Sequence, residues 1–137
     1  MTAVKIVIDS YAWIEIFSGT QKGRKARAAI EEADEVLTPD IVLSEVARKY
    51  MREGADENKA MERLETICEA SDVVGIDAST AVESAKTYLL LEKNAKEQSL
   101  TKPSLFDGIV LAFARINHAM VLTGNQHFKN LEDTLWL

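Results

Sequence analysis

One cysteine, Cys68, is too few for an intrachain disulfide, and a reducing compartment is the expectation. Neither that thiol nor the two histidines, His118 and His127, stand at the close spacing a zinc site requires. Six glycines and two prolines leave no Gly-rich phosphate loop, no dinucleotide fingerprint and no G-x-S-x-G elbow. No apolar run approaches the length that crosses a bilayer. The N-terminal run is interrupted by Lys5 and stopped by Asp9, too short for a signal peptide, so a cytoplasmic location is expected. Positive charge is also scarce: 16 Lys and Arg face 22 Asp and Glu, a net charge of −6. That balance argues against a protein that coats nucleic acid by bulk attraction. It leaves open a nuclease whose metal ions neutralise a carboxylate cluster locally. The basic groups, Lys22, Arg24, Lys25 and Arg27, then Arg48, Lys49 and Arg52, read as solvated helix faces ahead of the alternative, phosphate tracks.

What is present is patterned as one α/β domain over residues 1–137, long enough to bury a core. Val4 to Ile8 reads as a buried parallel strand ending in Asp9-Ser10. Further strands are expected at Glu35–Leu37, Val73–Ile76, Ala119–Leu122 and, at an edge, Leu135–Leu137. Between them helical periodicity places Ala12, Trp13, Ile16 and Phe17 on one face, and Ala26, Ala29, Ile30 and Ala33 on the next. Thr38-Pro39-Asp40 predicts a helix with Thr as N-cap and Pro at the first helical position, stopped by Gly54. Asp56 opens another, with Ala60, Met61, Leu64, Ile67 and Cys68 inward. A long helix follows, capped by Asp77 or by a Thr80-x-x-Glu83 box, with Val82, Ala85, Leu89 and Leu90 inward. Ser104 opens a helix apolar almost all round, which belongs in the core. Alternating strands and helices imply a mostly parallel sheet covered on both faces.

Four polar positions interrupt apolar patterns where such folds build sites, beyond the carboxyl ends of the strands. Asp9 is either a ligand or the cap of the first helix, and Ser10 as cap would leave Asp9 free. Glu45 is either a site residue or the partner of Lys49 at i+4. Asp107 has Val110, Leu111 and Ala114 on its face; it serves a site, a Ser104-x-x-Asp107 capping box, or both. Asn125, in Thr123-Gly124-Asn125, alone signals a turn in which Asn tolerates left-handed geometry. His118 suits a helix C-terminus, and no partner can be placed for His127. Carboxylates and an amide fit metal-dependent phosphoryl transfer, because Mg²⁺ takes hard oxygen ligands and activates water.

The order and spacing of Ile6-Val7-Ile8-Asp9-Ser10 with Trp13, Glu45-Val46, Phe106-Asp107-Gly108 and Thr123-Gly124-Asn125 with Phe128 resemble the PIN-domain ribonucleases over the whole length. Among these the chain is most similar to the VapC-type toxins of VapBC toxin–antitoxin pairs. The resemblance implies a five-stranded sheet of order 3-2-1-4-5 and, in many members, a homodimer. It implies an endoribonuclease with Mg²⁺ or Mn²⁺ held by Asp9 and Asp107, and by Glu45 as a further ligand or general base. Ser10 and Thr123 would support the cluster by hydrogen bonding. Asn125 stands where the family often has Asp, which implies one metal or a weakly occupied cluster. An RNA substrate and a VapB-like antitoxin are the implied partners, the antitoxin covering the surface around Trp13, Ile14 and Phe17. The alternative is a non-catalytic or weakly active binding or assembly module on the same fold. A haloacid-dehalogenase-type phosphatase ranks last, because Asp9-Ser10-Tyr11 lacks that chemistry's Asp-x-Asp.

Overall fold

The strand Lys5–Ile8 (β1) lies at the centre of a five-stranded sheet, with Ile6, Val7 and Ile8 fully buried. A computed structural model describes residues 3–137. Four further strands complete the sheet: Glu35–Pro39 (β2), Asp72–Val74 (β3), Met120–Thr123 (β4) and Thr134–Trp136 (β5). Their order is β3-β2-β1-β4-β5 and every pairing is parallel. The expected α/β architecture and strand order are therefore observed.

The helices are Ser10–Ser18 (α1), Gln21–Glu32 (α2), Asp40–Arg52 (α3), Glu57–Ala70 (α4), Ala78–Glu97 (α5) and Leu105–Ile116 (α6). Gly19, at φ +67°, ends α1 by returning its N–H to the Glu15 and Ile16 carbonyls. Seven consecutive residues of α6, Gly108 to Ala114, are buried, as its all-round apolar composition requires. Among the described residues no helix is long and apolar enough to cross a membrane.

Several local expectations are corrected. Thr38 is not a helix cap; it is buried in β2, which runs on to Pro39 because β3 pairs with Thr38 and Pro39. Its hydroxyl accepts from Trp13 Nε1 at 3.2 Å and shares a 2.8 Å hydrogen bond with Ser71 Oγ. Pro39 lies beyond the β1 pairing, so its missing N–H breaks no bond of that ladder. Trp13 is only 2% exposed, so it is core and offers no surface to a partner. On α4, Met61 and Cys68 point outward while Ala60 and Ile67 are buried.

The inward face of α5 also differs. Asp77 is its cap, accepting from Thr80 N at 2.8 Å, and no Thr80–Glu83 box forms. Thr80, Ser84, Thr87, Leu91 and Ala95 face inward, whereas Val82 and Leu89 are exposed. The cause is a close approach of α5 to α6 at Gly108. A Cβ on Gly108 would stand 2.8 Å from Tyr88 Cβ and 3.1 Å from the Ser84 carbonyl oxygen. The Thr87 hydroxyl donates to the Gly108 carbonyl at 2.5 Å. Backbones this close admit small side chains at the crossing and turn the bulky apolar ones to the other face.

Candidate active site

β1 delivers Asp9 to the carboxyl edge of the sheet, between β2 and β4, and burial there is nearly complete at 5% exposure. The cap is formed, and it occupies only one of the two carboxylate oxygens. Oδ1 caps α1, accepting from Ala12 N at 3.0 Å. Oδ2 accepts the hydroxyl of Thr123, the buried last residue of β4. Ser10 is the first residue of α1 and not its cap. Burial, first of all, raises Asp9 from its ordinary 3.8 to about 7; the Thr123 and Ala12 hydrogen bonds oppose this, and the charge of Asp107 adds to it.

Glu45 projects from α3 into the same cleft. The alternative ion pair with Lys49 is not made: Lys49 turns to Glu53 at 2.7 Å. Burial and the charges of Asp107 and Asp9 push Glu45 from 4.5 up to about 7, while Arg48 and the Ser10 hydroxyl act in the opposite direction.

Asp107 lies in the first turn of α6 and makes the expected capping box: Ser104 N donates to its Oδ2 at 3.0 Å, and its own N donates to Ser104 Oγ at 3.2 Å. Its Oδ1 accepts from Asn125 Nδ2 at 3.1 Å. Asn125 is extended, with φ −71°, so the left-handed turn is not formed. Its N–H donates to the Thr123 hydroxyl oxygen at 2.9 Å and its Oδ1 caps the short 3₁₀ turn Gln126–Phe128. Gly124 has no positive φ; a Cβ there would collide with the ring of Tyr11, which would have to shift.

Two residues carried no usable signal in the sequence. His127 lies with Nδ1 3.1 Å from Asn125 Oδ1 and 3.9 Å from Asp107 Oδ2, and its Nε2 donates to the Thr101 carbonyl at 2.7 Å. Tyr11 forms a wall of the cleft. Arg48 and Arg52 also line it, and here a signal did exist: they follow Glu45 at i+3 and i+7, on one helical face.

Asp9, Glu45, Asp107 and Asn125 therefore meet, with Ser10, in one cleft of about 680 Å³. Thr123 supports it from beneath through Asp9 and Asn125. Among the described residues no three acidic, histidine or cysteine side chains are already closed to metal-coordinating distance. The donor set is nevertheless the one a hard divalent cation selects, three carboxylates and an amide without a thiolate. A cation would also relieve the mutual repulsion of the acids.

The PIN domain family profile matches residues 6–133 of the chain. No curated protein matches its sequence. Among solved structures, the chain is similar to a toxin–antitoxin complex from Klebsiella pneumoniae, at 20% identity, 95% coverage of both chains and a TM-score of 0.66. It is similar to VapBC-1 from nontypeable Haemophilus influenzae at 15% identity, covering 98% of this chain and 97% of that one, with a TM-score of 0.69. It is also similar to Mycobacterium tuberculosis VapC20, a sarcin–ricin loop cleaving toxin, at 16% identity, 90% and 92% coverage and a TM-score of 0.66. With a family profile spanning nearly its whole length and the sheet order 3-2-1-4-5, the chain belongs to the PIN domain family.

Proposed function

We propose that the chain is a divalent-metal-dependent endoribonuclease, the toxin of a type II toxin–antitoxin pair, acting in the cytoplasm. The observation that carries this reading is the convergence of Asp9, Glu45 and Asp107 in one cleft, with Asp9 and Glu45 raised to about 7 by burial first and then by the charge of Asp107, to which Asp9 adds at Glu45. Paired carboxylates in that state are held ready for a cation. Bound there, Mg²⁺ or Mn²⁺ would supply the charge that activates water and stabilises the displaced oxygen of a phosphodiester.

The protein's own part is positional. Asp9 and Asp107 are the proposed principal ligands, with Thr123 and Asn125 fixing the direction of their carboxylates. Glu45 completes the ligand set or accepts the proton of the attacking water, a task that a carboxylate raised toward neutrality suits. Asn125 brings no negative charge, which favours one metal over two. Purified protein should cleave RNA with Mn²⁺ or Mg²⁺ and stop on addition of chelator. Undiminished cleavage in chelator would contradict the reading. A chain that neither cleaves RNA nor binds Mn²⁺ by calorimetry would instead be a binding or assembly module.

Two assemblies belong to the same proposal. The solved Klebsiella and Haemophilus structures, a toxin–antitoxin complex and a VapBC, support an antitoxin partner. With Trp13 buried, the surface left for it on α1 is that of Ile14 and Phe17. A homodimer is proposed through the apolar surface of α5, where Val82 and Leu89 are each about three-fifths exposed. Coexpression tests both: the product of a neighbouring reading frame should copurify with the chain and block cleavage. The chain alone should sediment as a dimer. Failure to copurify, or a monomer at micromolar concentration, would remove the corresponding partner.

A further inference from the structure

We propose that the cleft clamps the backbone of single-stranded RNA between two walls. Arg48 and Arg52 of α3 hold phosphates on one side of the carboxylates, and the Tyr11–Lys22 pair holds one on the other. The proposal rests on the nuclease reading of the same cleft and adds where the substrate's non-reacting phosphates lie.

The first wall follows from the helical face of Glu45. Arg48 and Arg52 are four residues apart, about 6 Å along the axis, and both line the cleft. Both are exposed, and among the described residues neither makes an ion pair or a side-chain hydrogen bond. Lys49 pairs with Glu53, Arg115 with Asp133 and Lys5 with Glu35, and other cations without such a partner, Arg27, Lys93 and Lys96 among them, lie outside the cleft. In a chain of net charge −6, two unpaired guanidinium groups beside three acids are cations facing the place an anion would enter. Their planar forks match phosphate oxygens.

The second wall is built from the other side of β1. The Tyr11 ring rests against Gly124, which follows β4, and Lys22 Nζ donates to the Tyr11 hydroxyl oxygen at 3.0 Å. With that oxygen accepting from a cation, the phenolic proton is free to be donated into the cleft. The sheet order β2-β1-β4 puts α3, which leaves β2, on one flank of Asp9 and Gly124 on the other. Two arginines thus line one flank of the acidic floor, and on the other Lys22 stands behind the lining residue Tyr11, with the lining acid Glu15 close to it. An acidic peptide would set carboxylates against that floor. A polynucleotide instead places one phosphate at the cation the floor is proposed to hold and its neighbours on the walls, so RNA is the occupant the charges fit.

Affinity for a short fluorescein-labelled single-stranded RNA, measured by anisotropy in chelator across a range of KCl concentrations, tests the clamp without turnover. Each lost phosphate contact reduces the slope of log K against log salt by about 0.7, about fivefold in affinity at 0.1 M salt. Arg52→Ala is the cleaner single variant, because Arg48 also draws on Glu45. Arg52→Ala and Lys22→Ala should each show that loss, and the Arg48→Ala/Arg52→Ala pair about twice the change in slope. Lys93→Ala, exposed on α5 outside the cleft, should show neither. Circular dichroism checks that the variants are folded, as their exposed positions predict. An unchanged slope in the double variant, no RNA binding by the parent chain, or displacement of RNA by polyglutamate at equal charge would each overturn the clamp. The two readings fail separately. Reduced slopes without Mn²⁺-dependent cleavage remove the nuclease and keep the clamp, and cleavage with unchanged slopes does the reverse.

Discussion

Asp9→Asn should lower metal-dependent RNA cleavage by about a hundredfold or more, the scale of losing a ligand whose cation stabilises several kcal/mol of transition-state charge. The same substitution should leave the fold intact. Asn retains an Oδ1 to accept from Ala12 N, so the α1 cap survives, and its Nδ2 can donate to the Thr123 hydroxyl oxygen. Loss of cleavage with a preserved or raised melting temperature therefore separates a ligand role from a structural one. A folded Asp9→Asn protein that cleaves at the parent rate would remove Asp9 from the proposed cluster. Asp9→Ala is the less informative variant, since it deletes the cap together with the carboxylate.

Between pH 5.5 and pH 8 the metal-free protein should lose stability, and Mn²⁺ should restore most of it. The sign follows from proton counts. In the unfolded chain Asp9 and Glu45 release their protons near 3.8 and 4.5, whereas in the folded chain each holds its proton to about 7. Across that interval the folded state binds more protons, so stability falls as pH rises from about 4.5 through 7 and levels off above it. The combined effect is a few kcal/mol for two carboxylates that also repel each other. A cation binds the ionised forms, so its stabilisation should be larger at pH 8 than at pH 5.5. Thermal unfolding in chelator and in Mn²⁺ at the two pH values measures this. Asp9→Asn and Glu45→Gln isolate the two carboxylates, because each should flatten the metal-free profile. A profile equally steep in both variants would assign the pH dependence elsewhere.

These effects come from side chains that the sequence places only approximately. Glu45 shows the limit: an acid followed by Lys at i+4 is a common surface pair, and only the packing of α3 on β2 turns it into the cleft while Lys49 reaches Glu53. The α5 face shows it again. Helical periodicity finds the apolar stripe Val82, Ala85, Leu89 and Leu90, of which only Leu90 packs against the core, because the close α5–α6 approach at Gly108 selects the stripe of Thr80, Ser84 and Thr87. His127 and Tyr11 become site residues only through contacts with Thr101, Asn125 and Gly124, which no local pattern encodes.

The sequence by itself determined the α/β alternation, the buried central strand ending in Asp9, the Ser104–Asp107 cap and the family. Each depends on short-range periodicity, on capping chemistry, or on the order and spacing of motifs along the chain. The tertiary structure decided which oxygen of Asp9 caps and which meets Thr123, how far burial raises Asp9 and Glu45, and which cations face the cleft. Those properties depend on distances between segments far apart in the chain and on water excluded by packing, neither of which has a local signature.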